Sequence, residues 1–91
     1  MADGFRWNDW NLDHIARHGV GPEQAEHVVL HARRPYPSYE GDGRWLVRGP
    51  DAGGKALQVV YVIDPDEATV YVIHARPLSE REKRNLRRRR R

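Results

Sequence analysis

The spacing of apolar residues divides the chain into an early helical part and a later extended part. Phe5-Arg6-Trp7 alternates apolar, polar and apolar, which predicts a short first strand. Asn8 or Asp9 can then cap a helix. That helix runs to about His18, with Leu12, Ile15 and Ala16 as its apolar stripe, Trp10 beside it, and Gly19 suited to the left-handed position after its end. Gly21-Pro22-Glu23 opens a second helix with Pro in the first turn. Ala25, Val28 and Val29 repeat at i, i+3, i+4, so this helix packs on one side. Residues 33–43 hold two Pro, two Gly and two Tyr and read as a loop or an irregular edge strand.

From Arg44 onward the runs become β-branched and aromatic. Arg44 to Arg48 is a strand bounded by Gly43 and Gly49. Asp51-Ala52-Gly53-Gly54 is a hairpin turn. Ala56 to Ile63 is apolar on both faces and therefore central. Asp64-Pro65-Asp66-Glu67 turns the chain again, and Thr69 to Ala75 is the last strand. Alternation places Val70, Val72, His74 and Arg76 on one side of it, and Tyr71, Ile73 and Ala75 on the other. Pro77 ends the strand. Ser79 and Glu82 form a capping box for a last helix. After Leu78 the only apolar residue of that helix is Leu86. Lys83, Arg84, Arg87 and Arg88 repel along it, while Glu80 and Arg84 make one favourable pair.

The order β-α-α-β-β-β-α predicts a small α+β fold: an antiparallel sheet of three to four strands, two N-terminal helices on one face, and a basic C-terminal helix. Residues 1–91 read as a single domain, with 84–91 as a basic extension whose order the sequence leaves open.

Composition adds an asymmetry. The apolar share is 38% and the charged share 32%. Residues 76–91 carry nine Lys or Arg against Glu80 and Glu82, whereas residues 1–75 carry seven against eleven Asp or Glu. The basic end suits a phosphate backbone or an acidic protein surface; it can also be a solvated tail. There is no cysteine, no apolar run of membrane-spanning length and no leader-like N-terminus, which together fit the cytoplasm.

Several residues could carry chemistry. His14 and His18 have zinc-binding spacing, but they lack the Glu of the zinc-protease motif and any obvious third ligand, so no metal is expected. Tyr36 and Tyr39 beside Arg33 and Arg34 could stack on nucleotides or cover a core edge. Metal-free RNA cleavage needs a base for the 2′-hydroxyl proton, cations for the phosphate and an acid for the leaving oxygen. His74 or Glu82 could be the base, Arg76 and Arg44 could clamp the phosphate, and Lys83 could add charge. Arg76 could equally be a structural ion pair with an acid such as Glu82. Arg48, Arg81, Arg84, Arg87 and Arg88 are the further candidates for binding RNA. No cofactor is called for.

The chain resembles the BrnT-type toxins, a family related to the RelE-like ribonucleases of type II toxin–antitoxin systems. The resemblance covers most of the chain. It is carried by Phe5-Arg6-Trp7, Arg17-His18-Gly19-Val20, Pro22-Glu23-Gln24-Ala25 and Asp42-Gly43-Arg44-Trp45. It continues through Gly49, Val59-Val60-Tyr61, Val72 to Pro77 and Glu82-Lys83. It implies a RelE-like fold and a metal-independent RNA endonuclease that acts on mRNA, free or ribosome-bound, and halts translation. It also implies a cognate antitoxin with a DNA-binding domain, through which alone the pair reaches operator DNA. The family's last helix usually carries Glu-Arg and a Tyr three residues later; here those positions are Glu82, Lys83 and Leu86. The family usually has a small residue where this chain has His74. The alternative to the toxin is a non-catalytic nucleic-acid-binding or protein-interaction module that uses the basic helix.

Overall fold

Backbone hydrogen bonding in the extended part is satisfied by a meander. The computed structural model describes residues 4–89. In it β3 (Arg44–Pro50), β4 (Ala56–Ile63) and β5 (Val70–Pro77) pair antiparallel. β2 (Ser38–Gly41) adds antiparallel to β3, and β1 (Phe5–Arg6) lies parallel against β5, with Phe5 opposite Val70. The strand order is β1-β5-β4-β3-β2. The expected antiparallel sheet of three to four strands is therefore a mixed sheet of five. The Phe5-Arg6-Trp7 alternation accounts for β1, and the stretch read as a loop or an irregular edge strand holds β2; what local alternation does not carry is the parallel pairing of β1 with β5. The parallel pairing of β1 joins opposite ends of the sequence.

The helices are α1 (Asp9–Ala16), α2 (Pro22–Leu30) and α3 (Glu80–Arg89). The last two residues of the 84–91 extension, and Met1 to Asp3, lie outside the described residues. Asn8 caps α1: its Oδ1 accepts from the Asn11 N–H at 3.2 Å, and Asn11 Oδ1 accepts from the Asn8 N–H at 2.8 Å. Asn11 is fully buried and also donates to the Arg6 carbonyl at 3.1 Å, which ties the helix start to β1. α1 stops at Ala16, short of His18, and the chain reverses at Gly19 with φ 74°, a conformation in which a Cβ costs energy.

Gln24 links α2 to the β3–β4 turn. Its Oε1 accepts from the Gly21 N–H at 2.8 Å, and its Nε2 donates to Asp51 Oδ2 at 2.9 Å. Asp51 Oδ1 takes the N–H groups of Gly53 and Lys55, both at 2.9 Å. The Gln24 bond, then the Lys55 N–H, hold this carboxyl below its ordinary value.

α1 and α2 cover one face of the sheet. Ile15, Ala25 and Val28 meet Val47, Leu57, Val59, Val72 and Ala75 in one hydrophobic cluster. Each large aliphatic side chain so buried contributes about 1.5–3 kcal/mol. Leu78 and Leu86 join the same cluster, so α3 is anchored by a single leucine of its own.

Candidate functional site

The open face of the sheet is decided by a bulge in β5. Tyr61 pairs with Val72, but the next residue back along β4, Val60, pairs with His74. Ile73 is the extra residue, and it inverts the alternation that follows. Val70 and Val72 point into the core before it, and Ala75 does so after it. The expected grouping of Val70, Val72, His74 and Arg76 on one side is thus corrected. His74 and Arg76 stand with Tyr71 on the open face, away from Val70 and Val72.

That face carries two cross-strand rows. One reads Leu46, Val60, His74; the other reads Arg48, Gln58, Arg76. Glu82 reaches the second row from the first turn of α3. Arg76 grips it with both terminal nitrogens, each at 2.8 Å, and Arg48 donates to Glu82 Oε2 at 3.2 Å. Gln58 Oε1 accepts from Arg48 at 3.0 Å and from Arg76 at 3.4 Å. The capping box closes as expected: the Ser79 N–H donates to Glu82 Oε1 at 2.8 Å, and the Glu82 N–H donates to Ser79 Oγ at 3.2 Å. Arg76, and next the Ser79 N–H, hold the Glu82 carboxyl far below the usual carboxylate range. The same pair raises Arg76 further.

Arg44, Arg48 and Arg76 line one concavity of about 330 Å³ with Glu40, Leu46, Gln58 and Val60. Arg44 sits at its outer end, half-exposed, 3.7 Å from Asp42. His74 lies next to this hollow, across from Val60, and meets His18 edge-on at 5.8 Å between ring centroids. Burial, then the charges of Arg76, His18 and His14, push the His74 imidazole below its ordinary 6.5. It is therefore neutral at pH 7 and able to accept a proton.

The other expected residues lie elsewhere. Lys83 lines a separate groove with Gly54, Lys55, Ala56, Leu86 and Arg87, and its ammonium is 3.7 Å from Glu80. Glu80 thus pairs with Lys83 in place of the expected Arg84. Arg81, Arg84, Arg87 and Arg88 are exposed along α3. Tyr36 is buried in the core cluster, while Tyr39 packs on Trp45 with its hydroxyl accepting from the Gly43 N–H.

Sequence reasoning missed Gln58, which bridges the two guanidinium groups, and His18 as the neighbour of His74. A polar residue within the otherwise apolar Ala56–Ile63 strand was the available signal for Gln58. For His18 there was only its i, i+4 relation to His14.

Among the described residues, no three His, Cys, Asp or Glu converge so as to hold a metal ion, and no helix is long and apolar enough to cross a membrane. No protein-family model, curated protein or solved structure matches the chain. The functional reading therefore rests on the chemistry of this face.

Proposed function

We propose that the protein is the toxin of a type II toxin–antitoxin module, with a RelE-like fold: a metal-independent RNA endonuclease that inhibits translation in the cytoplasm and is neutralised by a cognate antitoxin. The observation that carries this reading is the Ile73 bulge. It puts a neutral histidine and an arginine on an open sheet face, beside two further arginines.

In this reading His74 accepts the 2′-hydroxyl proton. The 2′-oxygen bonds to phosphorus, the bond to the 5′-oxygen breaks, and solvent protonates the leaving oxygen. The products are a 2′,3′-cyclic phosphate and a 5′-hydroxyl. Arg44, Arg48 and Arg76 offset the charge that builds on the phosphate. Glu82, held as a carboxylate by two arginines and a backbone N–H, is a poor base. It positions Arg48 and Arg76. Lys83 and the exposed arginines of α3 add long-range attraction for RNA. The antitoxin, with its DNA-binding domain, covers the toxin and reaches operator DNA.

The test is tightly controlled expression in bacteria. Wild-type protein should stop translation and leave RNA fragments with cyclic phosphate ends, and His74→Ala and Arg76→Ala should not. Normal growth with intact RNA under wild-type expression would sink the proposal.

A second reading draws on one observation: the guanidiniums of Arg48 and Arg76 are already paired with Glu82. It makes the protein a non-catalytic nucleic-acid-binding or protein-interaction module that works through α3. Removing residues 87–91 would then abolish RNA binding, while His74→Ala and Arg76→Ala would leave it nearly unchanged.

A further inference from the structure

An aromatic stripe runs beside the arginine-lined hollow, and nothing in the cleavage chemistry uses it. Trp10, His14 and His18 recur every fourth residue from α1 into the turn after it, so they face one way. The Trp10 and His14 rings stack at 4.7 Å with 9° between their planes. Trp10 also lies nearly parallel to Tyr71, at 6.3 Å and 21°. Tyr71 is fixed twice. Its hydroxyl donates to Asn8 Oδ1 at 3.0 Å, and the Arg6 guanidinium sits 4.1 Å over its ring. His18 continues the line to His74.

This arrangement is unusual for a surface that only closes a core. Trp10 keeps 54% of its surface exposed and is absent from the core cluster. Its neighbours hold it at a fixed angle, so little rotamer freedom remains for a ligand to remove. The hollow beyond His74, at the other end of the stripe, is cationic: Arg44, Arg48 and Arg76 line it.

We infer that Trp10, with His14 and Tyr71, is a stacking platform for a nucleobase of single-stranded RNA, next to the phosphate held by Arg44, Arg48 and Arg76. The inference rests on the RNA reading above and specifies its substrate. An exposed flat ring, joined through His18 and His74 to a hollow of guanidinium groups, suits a strand whose bases are unpaired and whose phosphates are spaced along a flexible backbone. A duplex keeps its base faces stacked inside and cannot offer them to Trp10. The histidine stripe leads from the platform to His74, so the stacked base is expected to flank the cleaved bond. A base stacks through its π-face whatever its identity, so the platform fixes the register of the strand without reading its sequence.

The experiment measures binding of a short 2′-O-methyl oligoribonucleotide, which has no free 2′-hydroxyl and cannot be cleaved. The full chain is titrated with this oligomer, with a matching oligomer that has an abasic site at successive positions, and with its duplex. Wild-type protein should prefer the single strand, and one abasic position should weaken binding by about 5- to 100-fold. Trp10→Ala should weaken the intact strand by a similar factor and remove the penalty of the abasic site, and Trp10→Phe should restore most of it. Trp10 is exposed, so these variants should keep the wild-type circular dichroism. If Trp10→Ala binds the intact strand as wild type does, or if no abasic position matters while cleavage still needs His74, the platform is refuted and the nuclease reading stands. If wild type binds none of the oligomers, both fall together.

Discussion

The two faces of this sheet are built from the same three strands and obey different rules. On the helix-covered face, Val47, Leu57, Val59, Val72 and Ala75 are wholly buried against Ile15, Ala25 and Val28. On the other face Leu46, Arg48, Gln58, Val60, His74 and Arg76 are all half-buried. Glu82 reaches that second face from the start of α3, and Trp10 and His18 meet it at Tyr71 and His74. The covered face is held by area removed from water, which tolerates small errors of shape. The open face is held by a few charge-assisted hydrogen bonds, which tolerate few errors of position. The bulge at Ile73 lets Val72 and His74, two apart in sequence, face opposite sides of the sheet.

A charge placed on the covered face is the harshest test of that division. Val59→Asp puts a carboxylate with no partner among wholly buried apolar side chains. Burying an unpaired charge costs several kcal/mol, against a total stability of about 5–15 kcal/mol for a typical domain. The expected outcome is a chain that does not fold cooperatively, checked by urea unfolding followed by circular dichroism. Deleting Ile73, by contrast, removes the bulge and leaves His74 and Arg76 on the open face, so that variant should still fold.

Glu82→Gln should come next. It leaves Arg48 and Arg76 without their carboxylate and is expected to cost about 1.5–3 kcal/mol at neutral pH. Wild-type Glu82 has its carboxyl lowered by folding, so its contribution is complete above the ordinary carboxylate range. It is lost as pH falls through that range towards the folded value. Glu82→Gln should therefore flatten the acid side of the stability profile. It should also tighten RNA binding, because two arginines lose their internal competitor. Unchanged affinity would argue that Arg48 and Arg76 do not meet phosphate.

On the covered side, Gln24→Ala removes the bond between α2 and the Asp51 turn. It is expected to cost about 1 kcal/mol, read as a lower thermal midpoint, with no effect on RNA. The smallest stability change belongs to the outer arginines. Arg87→Ala with Arg88→Ala should shift stability by less than about 0.5 kcal/mol while reducing the salt dependence of RNA binding.

Much of the covered face was legible in the sequence. The α2 stripe of Ala25, Val28 and Val29, the central placing of Ala56–Ile63, a cap at Asn8 or Asp9 (Asn8 in the structure) and the Ser79–Glu82 capping box follow from local patterns, and they are present. Of the α1 stripe of Leu12, Ile15 and Ala16, Ile15 is buried, Leu12 is half-buried and Ala16 is exposed, because α1 ends at Ala16. The open face was legible in its residues and not in its geometry. His74 and Arg76 stand out by type, yet strict alternation assigned them to the side of Val70 and Val72. Nothing about Ile73 itself marks a bulge. The extra residue exists only in the register between β4 and β5. The Arg48–Glu82 contact spans 34 residues, and the parallel pairing of β1 joins Phe5 to Val70. Neither leaves a local trace.

The charge state of His74 links the two faces to function. Burial lowers its affinity for a proton first, then Arg76, His18 and His14 do so in turn. Stability from this group is full above the ordinary histidine range and declines as pH falls through 6.5 towards the lower folded value. The base form persists over the same range. Cleavage should hold at pH 7 and fall only below pH 6.5, and His18→Asn should move the His74 midpoint slightly upward in an NMR titration.

The central claim is that the open face cuts RNA with His74 as its base. The most direct measurement incubates purified wild-type protein and His74→Ala with single-stranded RNA, without added metal, and analyses the new ends. The account predicts 2′,3′-cyclic phosphates from wild type and a rate lower by about 10²–10⁴ from His74→Ala with unchanged circular dichroism. Equal cleavage by a folded His74→Ala variant, or none by wild type, would contradict it.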